Sequence, residues 1–553
     1  MVRRFVIACL TFVLALQSAI AQDSNELLRR VPDSFPMCLI VRDLRGQTER
    51  WRNEPWVEKL VQNKLVQAVL ASPEFRDVAR IEGDLKKFLD LDWAGVRDNL
   101  CGDAVVFAFQ PAGASKERGL FLLKARDGEL LTRVIDKINR LQKDAGELKS
   151  LDALKHQGRD YFRRVHIRET HYYFQQDSVF AISTDEDALR AVMDRKADSA
   201  STPATHLKRA GAENSVISVW FNPRALDGEL RKNAADKSGP EAALLKHILA
   251  AWNDLDGAVL SLNGDKEIEL RIALLARPGA EKRDWFAADR AVSPLWRNFP
   301  DDALLSIVGQ VDFVKLAAWI LELVPGKDRI AFEEALRKNI GAATGIDLFD
   351  QILPNLGPDV GLSIQPGEKA GDVPQAIFAL AVKSLPKETP VDQKLYTTIQ
   401  FFSGLALFDH NRKNPDRILW QTAKQGPVEV KHLAQDKLFP AGFQPSLALK
   451  DGYLLLATSP SAIARFRPQA TAMVSPGETP LVKVNLVEIA KVLRDRRDLL
   501  IEQMVKKGKD TPTTAAQSLD GIASGLEIFE SLHLVHRGGD DHASLILRLT
   551  PRK

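Results

Sequence analysis

Cysteine is scarce in this 553-residue chain: there are three, and one of them, Cys9, lies in an apolar N-terminal run. Cys38 and Cys101 remain, too few for a disulfide framework or a cysteine-rich metal scaffold. Their apolar surroundings suit either one disulfide or two buried thiols. Charge of one sign is lacking too, with 76 Lys and Arg against 73 Asp and Glu. That balance leaves no electrostatic footprint for nucleic acid or an anionic membrane surface. Beyond the N-terminus no apolar run is long enough to span a bilayer. Catalytic signatures are missing as well: the chain contains no GxSxG, HExxH, P-loop or CxxC, and no Rossmann glycine pattern follows a strand.

What is present begins at the N-terminus. Arg3 and Arg4 precede an apolar stretch from Phe5 to Leu16, and small residues follow at Ala19 and Ala21. This is the layout of a signal peptide over residues 1–21, removed on export. A secreted chain, periplasmic or extracellular, with no transmembrane segment after cleavage is the expectation.

The chain also repeats itself. DNLCGDAVVFAFQP (98–111) returns as PNLGPDVGLSIQP (354–366), with Asn99, Asp103 and Gln110 answered by Asn355, Asp359 and Gln365. An opening strand behind Pro32-Asp33 is matched behind Pro300-Asp301. QQDSVFAISTDEDALRAV (175–192) runs beside ALKDGYLLLATSPSAIARF (448–466), pairing Asp177 with Asp451. SVWFNPRALDGEL (218–230) runs beside KVNLVEIAKVL, pairing Asn222 with Asn485. Four matches in one order are the signature of an internal repeat. The organisation expected is A–B–A′–B′: unit A over 22–196, unit B over 214–278, unit A′ over 299–466 and unit B′ over 479–553.

Strands joined by short turns mean hairpins, so the fold class is α+β, with mainly antiparallel sheets and helices packed on one face. Asn263-Gly264 and Gly538-Gly539 are placed at hairpin turns. Asp103 and Asp359 precede strands as turn-formers. Ser183 or Thr184 is expected to cap the helix that follows.

Three places hold residues able to do chemistry. His533, His536, Asp540, Asp541 and His542 are metal-ligand types near a turn, but His533 and His536 lie three apart on a strand and so face opposite sides. Arg159, Arg163, Arg164 and Arg168 alternate with aromatics, a pattern for a polyanion or sugar surface and equally for a hairpin with one solvated face. His166, Glu169 and His171 lack a spacing that gathers three ligands. Ser384 and Lys387 fit S-x-x-K, but Pro386 spoils the helix which that chemistry needs. Asp90 and Asp92 are a pair of carboxylates with nothing to single them out. No catalytic, cofactor-binding or metal site residue is assigned, and no cofactor is expected.

The segment DGYLLLATSPSAI (451–463), its fainter form at 177–189 and the Pro-Asp opening resemble exported bacterial proteins of the type called domain of unknown function 3352. That resemblance implies no activity and no site residues. The expected function is a non-catalytic binding or scaffolding protein of the cell envelope, its partner an unidentified envelope or extracellular component. The alternatives are an exported polymer-acting hydrolase, with its site in a cleft between the halves, and a metal-dependent module at the C-terminal hairpin.

Overall fold

AVVFAFQ (104–110) is apolar in every position but the last, and a strand of that composition needs cover on both faces. In the computed structural model it has that cover. The structure describes residues 25–72, 82–83, 85–111, 117–196, 199–264, 266–280, 291–369, 372–383, 390–435, 437–469, 475–508 and 511–552. The expected signal peptide and Ser384–Lys387 lie outside the described residues. The chain forms two compact units, one from the described parts of 25–228, 252–280 and 538–552, the other from those of 229–251 and 291–537.

The first unit holds β1 (Met37–Arg42), β2 (Ala104–Gln110), β3 (Arg118–Lys124), β4 (Leu148–His156), β5 (Arg159–His166), β6 (Thr170–Gln176), β7 (Val179–Ser183), β8 (Ile217–Phe221), β9 (Leu255–Gly264) and β10 (Ile268–Ala276). The second holds β11 (Leu305–Gln310), β12 (Leu356–Gln365), β13 (Gln375–Val382), β14 (Leu419–Gln425), β15 (Val428–Ala434), β16 (Ser446–Lys450), β17 (Tyr453–Ala457), β18 (Thr479–Asn485) and β19 (Phe529–Gly538). β20 (His542–Pro551) belongs to the first unit. Every pairing described here is antiparallel. The first unit's order is β4-β5-β6-β7-β3-β2-β1-β8-β9-β10-β20. The second unit's order is β14-β15-β16-β17-β13-β12-β11-β18-β19. Counted from each unit's first strand, both follow the same sequence of neighbours.

Val106, Ala108, Leu120 and Leu122 pack with Leu189 and Val192 of helix Glu186–Asp194. On the opposite face Val105 and Leu123 pack with Leu131 and Val134 of helix Gly128–Asp144. The second unit repeats this. Ala448 and Leu455 meet Ile463 of helix Pro460–Arg465, while Leu447 and Leu454 meet Leu395 and Ile399 of helix Val391–Lys413. The α+β class with antiparallel strands holds, but helices cover both faces rather than one, because the central strands are apolar on both. Among the described residues no helix is long and apolar enough to cross a membrane.

Cys38 and Cys101 are free thiols. Cys38 sits in the core on the Val106 side, and Cys101 packs beside Leu100 and Leu39 in other clusters. Burial pushes both thiols up, that of Cys101 to about 11.

The turns and caps refine the sequence reading. Asp177 and Asp451 both take the left-handed backbone, at φ 53° and 51°, a conformation Asp tolerates better than most residues. Asp185, not Ser183 or Thr184, caps its helix, its Oδ1 accepting from Ala188 N at 2.8 Å. Ser183 instead donates to Gly119 O at 2.8 Å and accepts from Asp185 N at 3.1 Å. Asp103 precedes β2, whereas Asp359 lies inside β12 opposite Gln310. Asn263 and Gly264 stay in β9, opposite Glu269 and Ile268, so the hairpin turns beyond them. Gly264 is needed for a different reason: a Cβ there would overlap the Trp51 indole, whose Nε1 donates to Gly264 O.

Gly264→Ala should therefore destabilise the protein by about 1–3 kcal/mol, the usual cost of overpacking a filled site. Urea unfolding will measure it, with Gly228→Ala, where an added Cβ meets nothing within 4 Å, as the near-neutral control.

Candidate functional site

Asn99, Asp127 and Asp177 belong to three separate turns, and folding brings them to one corner of the first unit. There the carbonyl of Asn99 accepts from Arg126 N at 2.9 Å, and Ala125 N donates to Ser178 O at 2.8 Å. Asp127 caps helix Gly128–Asp144, accepting from Leu130 N at 2.8 Å. Gly128 permits the close approach, since a Cβ there would stand 3.0 Å from Asp177 O. This corner borders an open cleft of about 1110 Å³. Arg126, Glu129, Thr132, Phe162 and Gln175 also line it, with Gln175 Nε2 donating to Thr132 Oγ1 at 2.7 Å. Its groups can grip a flat or charged ligand by stacking and ion pairing. Asp127 is already engaged as a helix cap.

The richest polar cluster lies elsewhere in the same unit. His206, on helix Thr202–Arg209, is buried. Its Nδ1 accepts from Trp220 Nε1 at 2.8 Å, so its proton sits on Nε2, which donates to Asp256 Oδ2 at 3.0 Å. Arg209 also pairs with Asp256, reaches Asp541 Oδ2 from Nε at 2.8 Å, and donates to Ala276 O at 2.7 Å. A Cβ at Gly257 would stand 2.6 Å from His206 Nδ1, so glycine is required there. With both ring nitrogens engaged, His206 has no lone pair to take a substrate proton. The cluster is a latch joining helix Thr202–Arg209, β9, β10 and the start of β20.

The residues singled out from the sequence are scattered. Asp541 is held by Arg209 and by His542 at 3.1 Å, while His533 Nε2 meets Ser531 Oγ at 3.1 Å in the other unit. Arg163 pairs with Asp152 at 2.8 Å, and Arg164 donates to Gln142. Tyr161 is buried, and Phe162 stacks on Tyr173 with ring centroids 5.0 Å apart. His166 and His171 do meet edge to face at 5.2 Å, and Glu169 stands 3.3 Å from His171 Nε2. Asp92 caps a short helix, accepting from Gly95 N at 2.6 Å, and Asp90 takes a left-handed turn. Among the described residues no group of three His, Cys, Asp or Glu side chains is arranged to hold a metal ion. Sequence reasoning missed the His206 latch, whose members come from four distant segments with no shared motif.

Burial lowers the pKa of His206 below its usual 6.5, with Asp256 opposing the shift and Arg209 adding to it. The folded state therefore binds this proton less readily than the unfolded chain does. The latch's contribution is complete above about pH 6.5 and fades as pH falls through the folded value. Asp43, raised to about 6 chiefly by burial, contributes in the opposite sense, so the test is a difference. His206→Ala should cost about 2–4 kcal/mol at pH 7, and its deficit against wild type should shrink by pH 5 in urea unfolding. A deficit that stays constant with pH would contradict the latch.

No family model, no curated protein and no solved structure matches the chain.

Proposed function

We propose that the chain is an exported, internally duplicated protein of the bacterial cell envelope that binds or scaffolds a partner without transforming it. Its duplication runs A–B–A′–B′ over 22–196, 214–278, 299–466 and 479–553, and its motifs at 177–189 and 451–463 resemble the domain of unknown function 3352 type. The observation that carries this reading is the use to which the repeated residues are put.

Asn99 O accepts from Arg126 N, and Asn355 O accepts from Lys383 N at 2.8 Å. Ala125 N donates to Ser178 O, and Val382 N donates to Gly452 O at 2.9 Å. Asn222 N donates to Pro36 O, and Asn485 N donates to Leu304 O at 3.0 Å. Both asparagines also cap the helical turns that follow them. The repeated polar residues shape backbone. Groups with chemical potential, such as His206, Arg209 and Asp256, have no counterpart in the repeated motifs. The cleft beside Asn99 is the surface we assign to the partner, with Arg126 and Phe162 as its recognising groups.

Co-sedimentation of the purified protein with isolated cell-wall polymer tests this. Binding without release of soluble fragments is expected, weakened about tenfold by Arg126→Ala with Phe162→Ala. Release of new chain ends from the polymer would instead establish a hydrolase.

A further inference from the structure

Helices Gly128–Asp144 and Val391–Lys413 each follow the hairpin formed by the second and third strands of their unit, yet they run to 17 and 23 residues. The N-terminal part of the longer helix buries Val391 and half-buries Leu395 and Ile399. The remainder carries FFSGLALF (401–408), where Phe401, Phe402, Leu405 and Phe408 are 59%, 45%, 50% and 71% exposed. Helix Gly326–Thr344 packs beside it and also beside helix Phe313–Leu323. These neighbours expose Ile330, Phe332, Trp319 and Ile320. Soluble surfaces rarely leave so many large apolar side chains together unless something covers them.

Three features select the occupant. The first is area: with roughly 200 Å² for each large side chain, these eight residues expose roughly 800 Å², one protomer's share of a standard interface. The second is self-complementarity. Reversing FFSGLALF sets Phe401 against Phe408 and Ser403 against Ala406, the exchange a two-fold axis imposes. Ser403, Gly404 and Ala406 leave gaps between the bulky residues, and a Cβ at Gly404 would meet nothing within 4 Å. The third is charge. Arg412 and Lys413, the basic residues just beyond the stripe on its own helix, are both paired with Asp409, at 3.2 and 2.6 Å, so those two do not form the free basic band of a membrane-surface helix.

We propose that this face joins two copies of the chain, the Val391–Lys413 helices crossing antiparallel about a two-fold axis near Gly404 and Leu405. The inference is independent of what the cleft binds.

Analytical ultracentrifugation of the purified protein tests it. A species of twice the chain mass is expected, with Phe408→Glu raising the dissociation constant about thirtyfold or more. Leu405→Glu and Leu405→Lys should each sediment as monomers alone and return to a dimer when mixed, because the axis passes between Gly404 and Leu405 and brings the two copies of Leu405 side by side. Both residues are exposed, so the variants should keep the wild-type far-UV circular dichroism and a cooperative unfolding transition, which separates lost association from lost folding. A wild-type monomer at about 100 μM overturns the proposal. So does a dimer indifferent to these substitutions, or a monomer that floats with phosphatidylcholine vesicles, which would assign the face to lipid.

Discussion

A carbonyl oxygen taken out of water must find a donor, and the chain's irregular turns supply many such oxygens. Asn99, in the wide turn Val96–Leu100, and Asn355, at the end of the short helix Leu353–Asn355, each lead into the strand at or near the middle of a sheet. In both units the asparagine carbonyl is met by the amide just past the next strand, from Arg126 or Lys383. This bond holds the end of one hairpin arm to the start of the other, and a helix start and a tight aspartate turn are assembled around it. The same corner is satisfied in the same way in both units, beside the same order of strands.

The two sheets satisfy some side chains differently. In the first, Arg118 stands opposite Gln110, donates to its Oε1 at 2.6 Å and lies 3.7 Å from the helix-capping Asp185. In the second, Gln375 stands opposite Gln365 and donates to Ser461 Oγ at 2.8 Å, and Ser459 is the cap. The first sheet has a charged pair where the second has a neutral one, with cation and carboxylate both absent there. Either charge alone would stand half-buried without its partner. Paired change of this kind supports descent of both sheets from one ancestral unit, the duplication proposed above.

The sequence made the large plan legible because proline, aspartate and asparagine recur where the backbone needs them. It was less informative where a position is set by distant packing. Gly264 resembles a hairpin glycine but is small because Trp51 lies against it. Ser183 resembles a cap but is drawn to Gly119 O, leaving the cap to Asp185. The apolar run AVVFAFQ already argued for cover on both faces, a signal outweighed by the alternating strands nearby. Nothing local announced the His206 latch, since its partners span residues 206–541. The cleft was equally hidden, because its walls come from turns that meet only after the sheet has formed.

The most direct test of the account is a double-mutant cycle on the second sheet, using Gln375→Arg and Ser459→Asp to install the first sheet's pair. If the two positions are equivalent to Arg118 and Asp185, Gln375→Arg alone destabilises the protein. Adding Ser459→Asp then restores about 1 kcal/mol or more beyond additivity in urea unfolding. Strictly additive effects would contradict the claim that one fold is written twice.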